Sequence, residues 1–271
     1  RQRQMCIRDR ILATLMNAFL IPATPGMEIR GVGEMYPLNG PSWSLFFEYM
    51  GNILYAFFLH KLSTKVLSVL VLSAGCGLAV FALCGPLGDI CVGFALTEEN
   101  IIGGSLRLLF SFPAGLLLSR IFKPVKVRGV FWIGSFSIVI LLAIPRIGGS
   151  EHLWMNGLYD TICFAVAFPL LVCLGASGKT TDKVTTQVCK FLGDISYPLY
   201  MVHYPFIYLY YAWVKNEHLT FTQSLPGAVA LVAGSVVLAY LCLKLYDEPV
   251  RRWLAKHLLH AYGSRSNRNG G

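Results

Sequence analysis

The sequence predicts an all-α fold, a polytopic transmembrane helix bundle with seven full spans plus one partial amino-terminal span. Three observations carry that expectation. First, the 271 residues are 55% hydrophobic and 14% charged, with a mean hydropathy of +0.57, where a soluble domain carries about 25% charged residues. Second, apolar runs of roughly 18 to 22 residues, each the length a bilayer demands, alternate with breaks of Gly, Pro, Asn and charge. Third, Lys and Arg fall in every second break, the pattern that positive charge imposes on an oriented membrane protein.

Taken in order, RQRQMCIRDR at residues 1–10 reads as a non-native, adapter-derived leader and is set aside from the fold. The apolar run Ile11 to Ile21 is eleven residues, about 16 Å of helix against a hydrocarbon core of about 30 Å. It is half a span. Pro22 to Pro41 is too polar and too rich in Pro and Gly for helix. The full spans are expected at Ser42–Leu59, Val66–Leu83, Ile101–Phe122, Val127–Ile144, Leu158–Leu174, Ile195–Val214 and Leu225–Tyr246. Residues 11–254 thus form the membrane domain. Residues 255–271 form a cytoplasmic tail, disordered over its Ser, Asn, Gly and Arg end from Tyr262.

Fifteen Lys and Arg lie in one set of loops, those around 61–65, 120–128 and 179–190 together with the carboxyl end, and only Arg30, Arg146 and Lys215 in the other. The carboxyl terminus is therefore expected in the cytoplasm and the 85–100 loop outside. Basic residues exceed acidic ones, 23 against 14, but singly and in loops, which excludes a nucleic-acid interface. The eight cysteines form no C-x-x-C pair and suggest no metal. Cys84 and Cys91 are the one pair near a loop where a bridge is conceivable. The outer loops are too short to fold as a domain.

Polar groups inside spans are costly and mark function by default. Glu48 lies about 9 Å below the outer end of its helix, and the helical period puts Ser44, Glu48, Asn52 and Tyr55 on one face, read as a polar stripe turned inward. It is either a proton-handling carboxylate or a structural hydrogen-bonding group. Arg107, with Ser111 and Pro113 below it, is expected to pair with Glu48 or to hold an anionic group of a substrate. His203 lies near the midplane, bracketed by Pro198 and Pro205 on a face shared with Ser196 and Tyr200, and imidazole passes protons near neutral pH. The tyrosines at 197, 200, 204, 208 and 211 read as a packing stripe. Asp247 and Glu248 before Pro249 read as the start of a short interfacial helix.

Three blocks, LNGPSWSLFFE, FLGDISYPLYMVHYP and YDEPVRRWL, each at a span boundary and in that order, resemble the acyltransferase 3 family of bacterial membrane enzymes, the O-acetylases of exopolysaccharide, O-antigen and related glycans. The resemblance runs from Leu38 to Leu254. It implies a multi-pass enzyme of the bacterial cytoplasmic (inner) membrane that moves an acyl group, usually acetyl, from cytoplasmic acyl-CoA (acetyl-CoA) to a hydroxyl of a glycan or glycolipid. No metal or nucleic acid is involved, and the oligomeric state is left open. Trp43, Ser44 and Glu48 match the family's W-S-L-x-x-E signature. Arg107, Phe112 and Gly115 look like its R-x-x-x-x-F-x-x-G pattern, and Asp194, Ser196, Tyr197 and His203 match its S-Y-x-x-Y-x-x-H block. The family's first spans, with the His proposed as catalytic, have no counterpart here, so the fragment is expected to be inactive as it stands. The His of those first spans is expected to supply the base, and within this chain Glu48 and His203 are the candidate catalytic residues. Trp43, Ser44, Asn52, Arg107, Asp194, Ser196 and Tyr197 become candidates for substrate binding, with Glu48 and Arg107 lining the acceptor half of a cavity and His203 and Tyr197 the donor half. A proton-coupled glycolipid transporter or flippase is the rival reading, because buried Glu, Arg and His also mark proton pathways. A non-catalytic membrane sensor is a third.

Overall fold

The computed structural model describes residues 7–24, 33–149, 151–179 and 182–259. Most of the expected leader, part of the 22–41 segment and the expected disordered tail lie outside them. Every regular element among the described residues is a helix, and β pairing is limited to two isolated bridges, Glu34 to Ala95 and Val127 to Gly178. The chain forms two compact units, Arg1–Thr186 and Gln187–Gly271.

In the first unit, α1 (Ile7–Ala18), α2 (Ser42–Phe57), α3 (Thr64–Cys84), α4 (Glu98–Ile121), α5 (Val130–Ala143), α6 (Leu153–Ile162) and α7 (Phe168–Ala176) follow one another. The apolar α3 is central, packed along α4 and α6, with α2 on α4 and α5 on α7. Ser63 caps α3 by accepting the Val66 amide at 3.3 Å, and Glu98 and Glu99 open α4, where the helix dipole favours acid. The α3 to α6 contact depends on Gly157, whose missing Cβ would sit 2.0 Å from the Ala82 carbonyl oxygen. A side chain of any size is excluded there.

The second unit holds most of α8 (Lys183–Asn216), then α9 (Phe221–Cys242) and α10 (Glu248–Leu254). A capping box starts α9, the Thr220 amide donating to Gln223 Oε1 at 2.9 Å. Tyr210 ties the two helices by donating to the Ser224 carbonyl at 3.1 Å.

Two spans meet an interior proline with the same device. A five-residue π turn, Cys163–Ala167, precedes Pro169, and another, Leu243–Asp247, precedes Pro249. In each, the residue before the proline donates five residues back, Phe168 to Cys163 and Glu248 to Leu243. The widened turn makes room for the ring and absorbs the hydrogen bond that proline cannot make. Asp247 and Glu248 are therefore not the start of a separate helix, as their acid-acid-proline order suggested. They sit inside a continuous one, where Arg252 donates to Glu248 at 2.8 Å and Lys244 and Arg251 pair with Glu248 and Asp247.

Among the described residues, four helical stretches are long and apolar enough to cross a membrane, Thr64–Cys84, Glu98–Ile121, Leu153–Ala176 and Phe221–His257. They coincide with four of the seven expected full spans. The other three depart for visible reasons. Helices α2 and α5, at 16 and 14 residues, reach only about 24 and 21 Å. Helix α8 has 34 residues, but the tyrosines, Pro198, Pro205 and His203 within its apolar stretch keep its hydropathy low. Large apolar side chains point outward, Trp132 at 60%, Phe136 at 65% and Leu142 at 72% exposure on α5 alone, as a lipid-facing surface requires. This is a multi-pass membrane protein. Cys84 and Cys91 are free thiols, so the conceivable bridge is not formed.

Candidate functional site

The first cluster of polar groups lies in the first unit, where the segments 33–41 and 89–97 fold over the ends of α2 and α4. Met35, Tyr36 and Val92 are fully buried there, so these short loops form packed structure. Tyr36 donates to the Leu20 carbonyl at 2.6 Å, and burial holds its phenol well above its ordinary range. The Met35 amide donates to Phe94 at 2.9 Å, and its carbonyl receives the Ala23 amide at 2.8 Å.

Arg107 is the anchor of the 89–94 strap. Its Nη1 donates to the carbonyls of Ile90 and Val92, both at 3.0 Å, and its Cζ lies 4.9 Å from the Trp43 ring centroid, a cation-π distance. The strap's amides are assigned as well. Ile90 donates to Asp160 Oδ2 at 3.1 Å, Cys91 to Asp89 Oδ1 at 2.9 Å, and Gly93 and Phe94 to Asn100 Oδ1 at 2.9 and 3.2 Å. Gly93, at φ +110°, brings the backbone against Trp43, whose ring would lie 2.7 Å from any Cβ added there. Asp89 in turn pairs with Arg146.

Among the described residues no ion pair joins Glu48 to Arg107, because the guanidinium is drawn to the strap carbonyls. The expected inward stripe also departs from its reading. Helix α2 meets α4 through Trp43, Phe47 and Gly51, the last so close that an added Cβ would lie 2.8 Å from Phe112 and 2.9 Å from Leu108. Glu48, Asn52 and Tyr55 flank that contact and are exposed. Ser44 Oγ donates to the Pro41 carbonyl at 3.0 Å and Asn52 to the Glu48 carbonyl at 2.9 Å. Phe112, from the R-x-x-x-x-F-x-x-G pattern, is a packing residue against Gly51, while the space beside Gly115 is open.

Replacing Arg107 by Met should free the Ile90 and Val92 carbonyls and cost about 2 kcal/mol or more, the range for hydrogen bonds from a charged donor. Amide exchange over residues 90–94 should accelerate. Unchanged protection there would remove the anchoring role.

The second cluster lies in the second unit. A cavity of about 340 Å³ is lined by Gly193, Asp194, Tyr197 and Pro198 of α8 with Asp247 and Arg251. The structure thus brings Asp194 and Tyr197 together with the ion pair Asp247–Arg251. Ser196 lies outside this cavity and turns its hydroxyl to the Gly193 carbonyl at 2.8 Å.

His203 lies farther along α8. Its Nδ1 sits 2.9 Å from the Leu199 carbonyl and 3.0 Å from that of Tyr200. Both partners only accept, so Nδ1 carries the proton and Nε2 presents its lone pair away from the helix. Tyr200 and Tyr204 flank the imidazole at ring distances of 6.0 and 5.9 Å. Among the described residues no group of three or more His, Cys, Asp or Glu converges to hold a metal.

Sequence reasoning passed over Asp160, Asn100 and the pairing of Asp247 with Arg251. Asp160 carried a usable signal, an acid near the head of an apolar span, where the rule that singled out Glu48 applies equally.

Comparison with known proteins adds to this geometry. The family described as an acyltransferase domain, acyltransferase 3, matches residues 10–244. The chain is similar to the O-acetyltransferases OatA of Staphylococcus aureus strains NCTC 8325 / PS 47, COL and MRSA252, at 25% identity over 220 residues, 78% of this chain and 36% of each relative. It therefore spans little more than a third of the length of the curated relatives it matches. No solved structure matches.

Proposed function

We propose that this chain, which belongs to the acyltransferase 3 family, is the membrane domain of an O-acetyltransferase that moves an acyl group, acetyl from acetyl-CoA, to a hydroxyl of a cell-surface glycan or glycolipid. The observation that carries the reading is His203. It stands in the family-matched region with Nδ1 spent on backbone carbonyls and Nε2 presented for proton transfer.

The transfer breaks the thioester C–S bond and forms an ester C–O bond, while the acceptor hydroxyl loses a proton and the departing thiolate gains one. In place of the expectation that a His of the family's first spans is the base, this reading assigns the uptake and return of that proton to His203 Nε2. Its fixed tautomer means that no ring rotation or proton rearrangement precedes the step. Tyr197, Asp194 and Arg251 line the donor side, where Arg251, the cation that lines the cavity, is offered to phosphate oxygens. Trp43, Ser44, Asn52 and Glu48 belong to the acceptor side. Arg107 serves that side by holding the strap against Trp43.

In this reading α2, α5 and α8 cross the bacterial cytoplasmic membrane together with the four longer apolar stretches. The alternation of basic loops supports a cytoplasmic carboxyl terminus.

Glu48 provides the test. In the protein expressed from its complete reading frame, Glu48→Ala should lower glycan acetylation to background while the protein still inserts and melts at the wild-type temperature. Glu48 is exposed, so truncating its side chain should not unfold the helix. Acetylation at the wild-type rate would take Glu48 out of the site.

A further inference from the structure

The tyrosines of α8 carry an inference beyond the reaction centre. At 100° per residue, Tyr197, Tyr200, Tyr204, Tyr208 and Tyr211 fall within a sector of about 80° on one helix face. Between Lys190 and Lys215 the same sector contains only these five, Gly193 and the two lysines. It holds no aliphatic side chain. Tyrosines that serve as membrane anchors gather at the two interfaces, whereas these run through the midplane, from about 9 Å before His203 to about 12 Å beyond it. A face made of phenols without an aliphatic side chain is a poor match for lipid tails. Its rings are arrayed as a ladder. Tyr204 meets the His203 ring at 5.9 Å and Tyr208 edge-to-face at 4.6 Å, Tyr200, Tyr204 and Tyr208 are half-buried, and Tyr197 and Tyr211 are 58% and 62% exposed.

We propose that Tyr204, Tyr208 and Tyr211 form the acceptor track, a stacking platform for successive pyranose rings that leads a sugar hydroxyl to His203. The proposal rests on the acetyl-transfer reading above. The chemistry selects the ligand class. A pyranose offers a C–H face to an aromatic ring and equatorial hydroxyls to phenols, while between its two terminal lysines the sector has no cation for a phosphate chain and no aliphatic wall for an acyl chain. Continuity with His203 selects the direction, because the tyrosines beyond it continue toward the α8 end that the charge pattern places outside.

The test is acceptor-saturation kinetics on the protein expressed from its complete reading frame, with an acetylatable oligosaccharide as probe. Tyr208→Leu should raise the acceptor KM about tenfold and leave the KM for acetyl-CoA unchanged. Tyr208→Phe, which keeps the ring, should stay within about twofold. An unchanged acceptor KM in Tyr208→Leu, or an equal loss in both variants, overturns the track. A second measurement needs no turnover. A diazirine-bearing oligosaccharide should crosslink to the peptide 204–211, and labelling confined to other segments overturns the proposal. A protein that captures the sugar on α8 yet transfers no acetyl group keeps the track and overturns the reaction, so the two claims fail separately.

Discussion

Replacing His203 by Gln is expected to lower acetyl transfer by about 100- to 10,000-fold, the range that a positioned acid-base group contributes. The structure makes this a clean substitution. His203 packs half-buried on α8, and its Nδ1 bonds go to carbonyls of its own helix, so losing them breaks no hydrogen bond between helices. Gln can still donate to those carbonyls and keeps most of the volume, but it has no group that takes up a proton near neutral pH. Insertion and melting temperature should therefore match wild type while turnover collapses. A variant that retains a tenth or more of the wild-type rate would remove proton transfer from His203 and leave it as a hydrogen-bonded helix residue.

Gly157→Ala is expected to be the most damaging small change to the fold. The added Cβ would lie 2.0 Å from the Ala82 oxygen, 2.6 Å from its carbonyl carbon and 3.1 Å from Leu83 Cα. All three are backbone atoms of α3, and no rotamer change relieves them. The only escape is to push α6 off α3, the contact on which the first unit is centred, at a cost of about 3 kcal/mol. That movement also carries Asp160 away from the Ile90 amide, so the strap at 89–94 should loosen with it. The measurement is the melting temperature in detergent, with Gly115→Ala as its partner. Nothing lies within 4 Å of a Cβ at Gly115, and Ala is the better helix former by about 0.5–1 kcal/mol. Gly115→Ala should leave stability unchanged or raise it. Equal melting temperatures for the two variants would contradict the packing described for α3 and α6.

Local features were legible before any coordinates. The start of α2 at Ser42 follows from Pro41 and the apolar run behind it, and α3 matches its predicted span to within two residues at its start and one at its end. The long-range features were not legible. Asp160 and Ile90 are 70 residues apart, and nothing in one sequence says that a carboxylate in one span holds an amide in a loop before another. The Glu48 to Arg107 pair failed for a related reason. Opposite charges at similar depth are attractive partners on paper, but the strap supplied two carbonyls within reach of the guanidinium and the helix contact left Glu48 at its flank. Pro169 fell inside the expected span Leu158–Leu174 and Pro249 was read as the first turn of a short interfacial helix, because a π turn has no composition of its own and shows itself only in which carbonyl an amide finds. At the candidate site, residue identity at 194, 197 and 203 was readable from the block FLGDISYPLYMVHYP. The meeting of Asp194 and Tyr197 with Arg251 was not, because it depends on α10 continuing α9 through that turn.

The central claim is tested most directly in proteoliposomes holding the protein from its complete reading frame, with acetyl-labelled acetyl-CoA supplied on one side and a glycan acceptor on the other. The account predicts label in ester linkage on the acceptor, abolished by mild alkali and absent with Glu48→Ala and His203→Gln. Movement of a glycolipid across the bilayer with no label on the glycan would contradict it and favour a transporter.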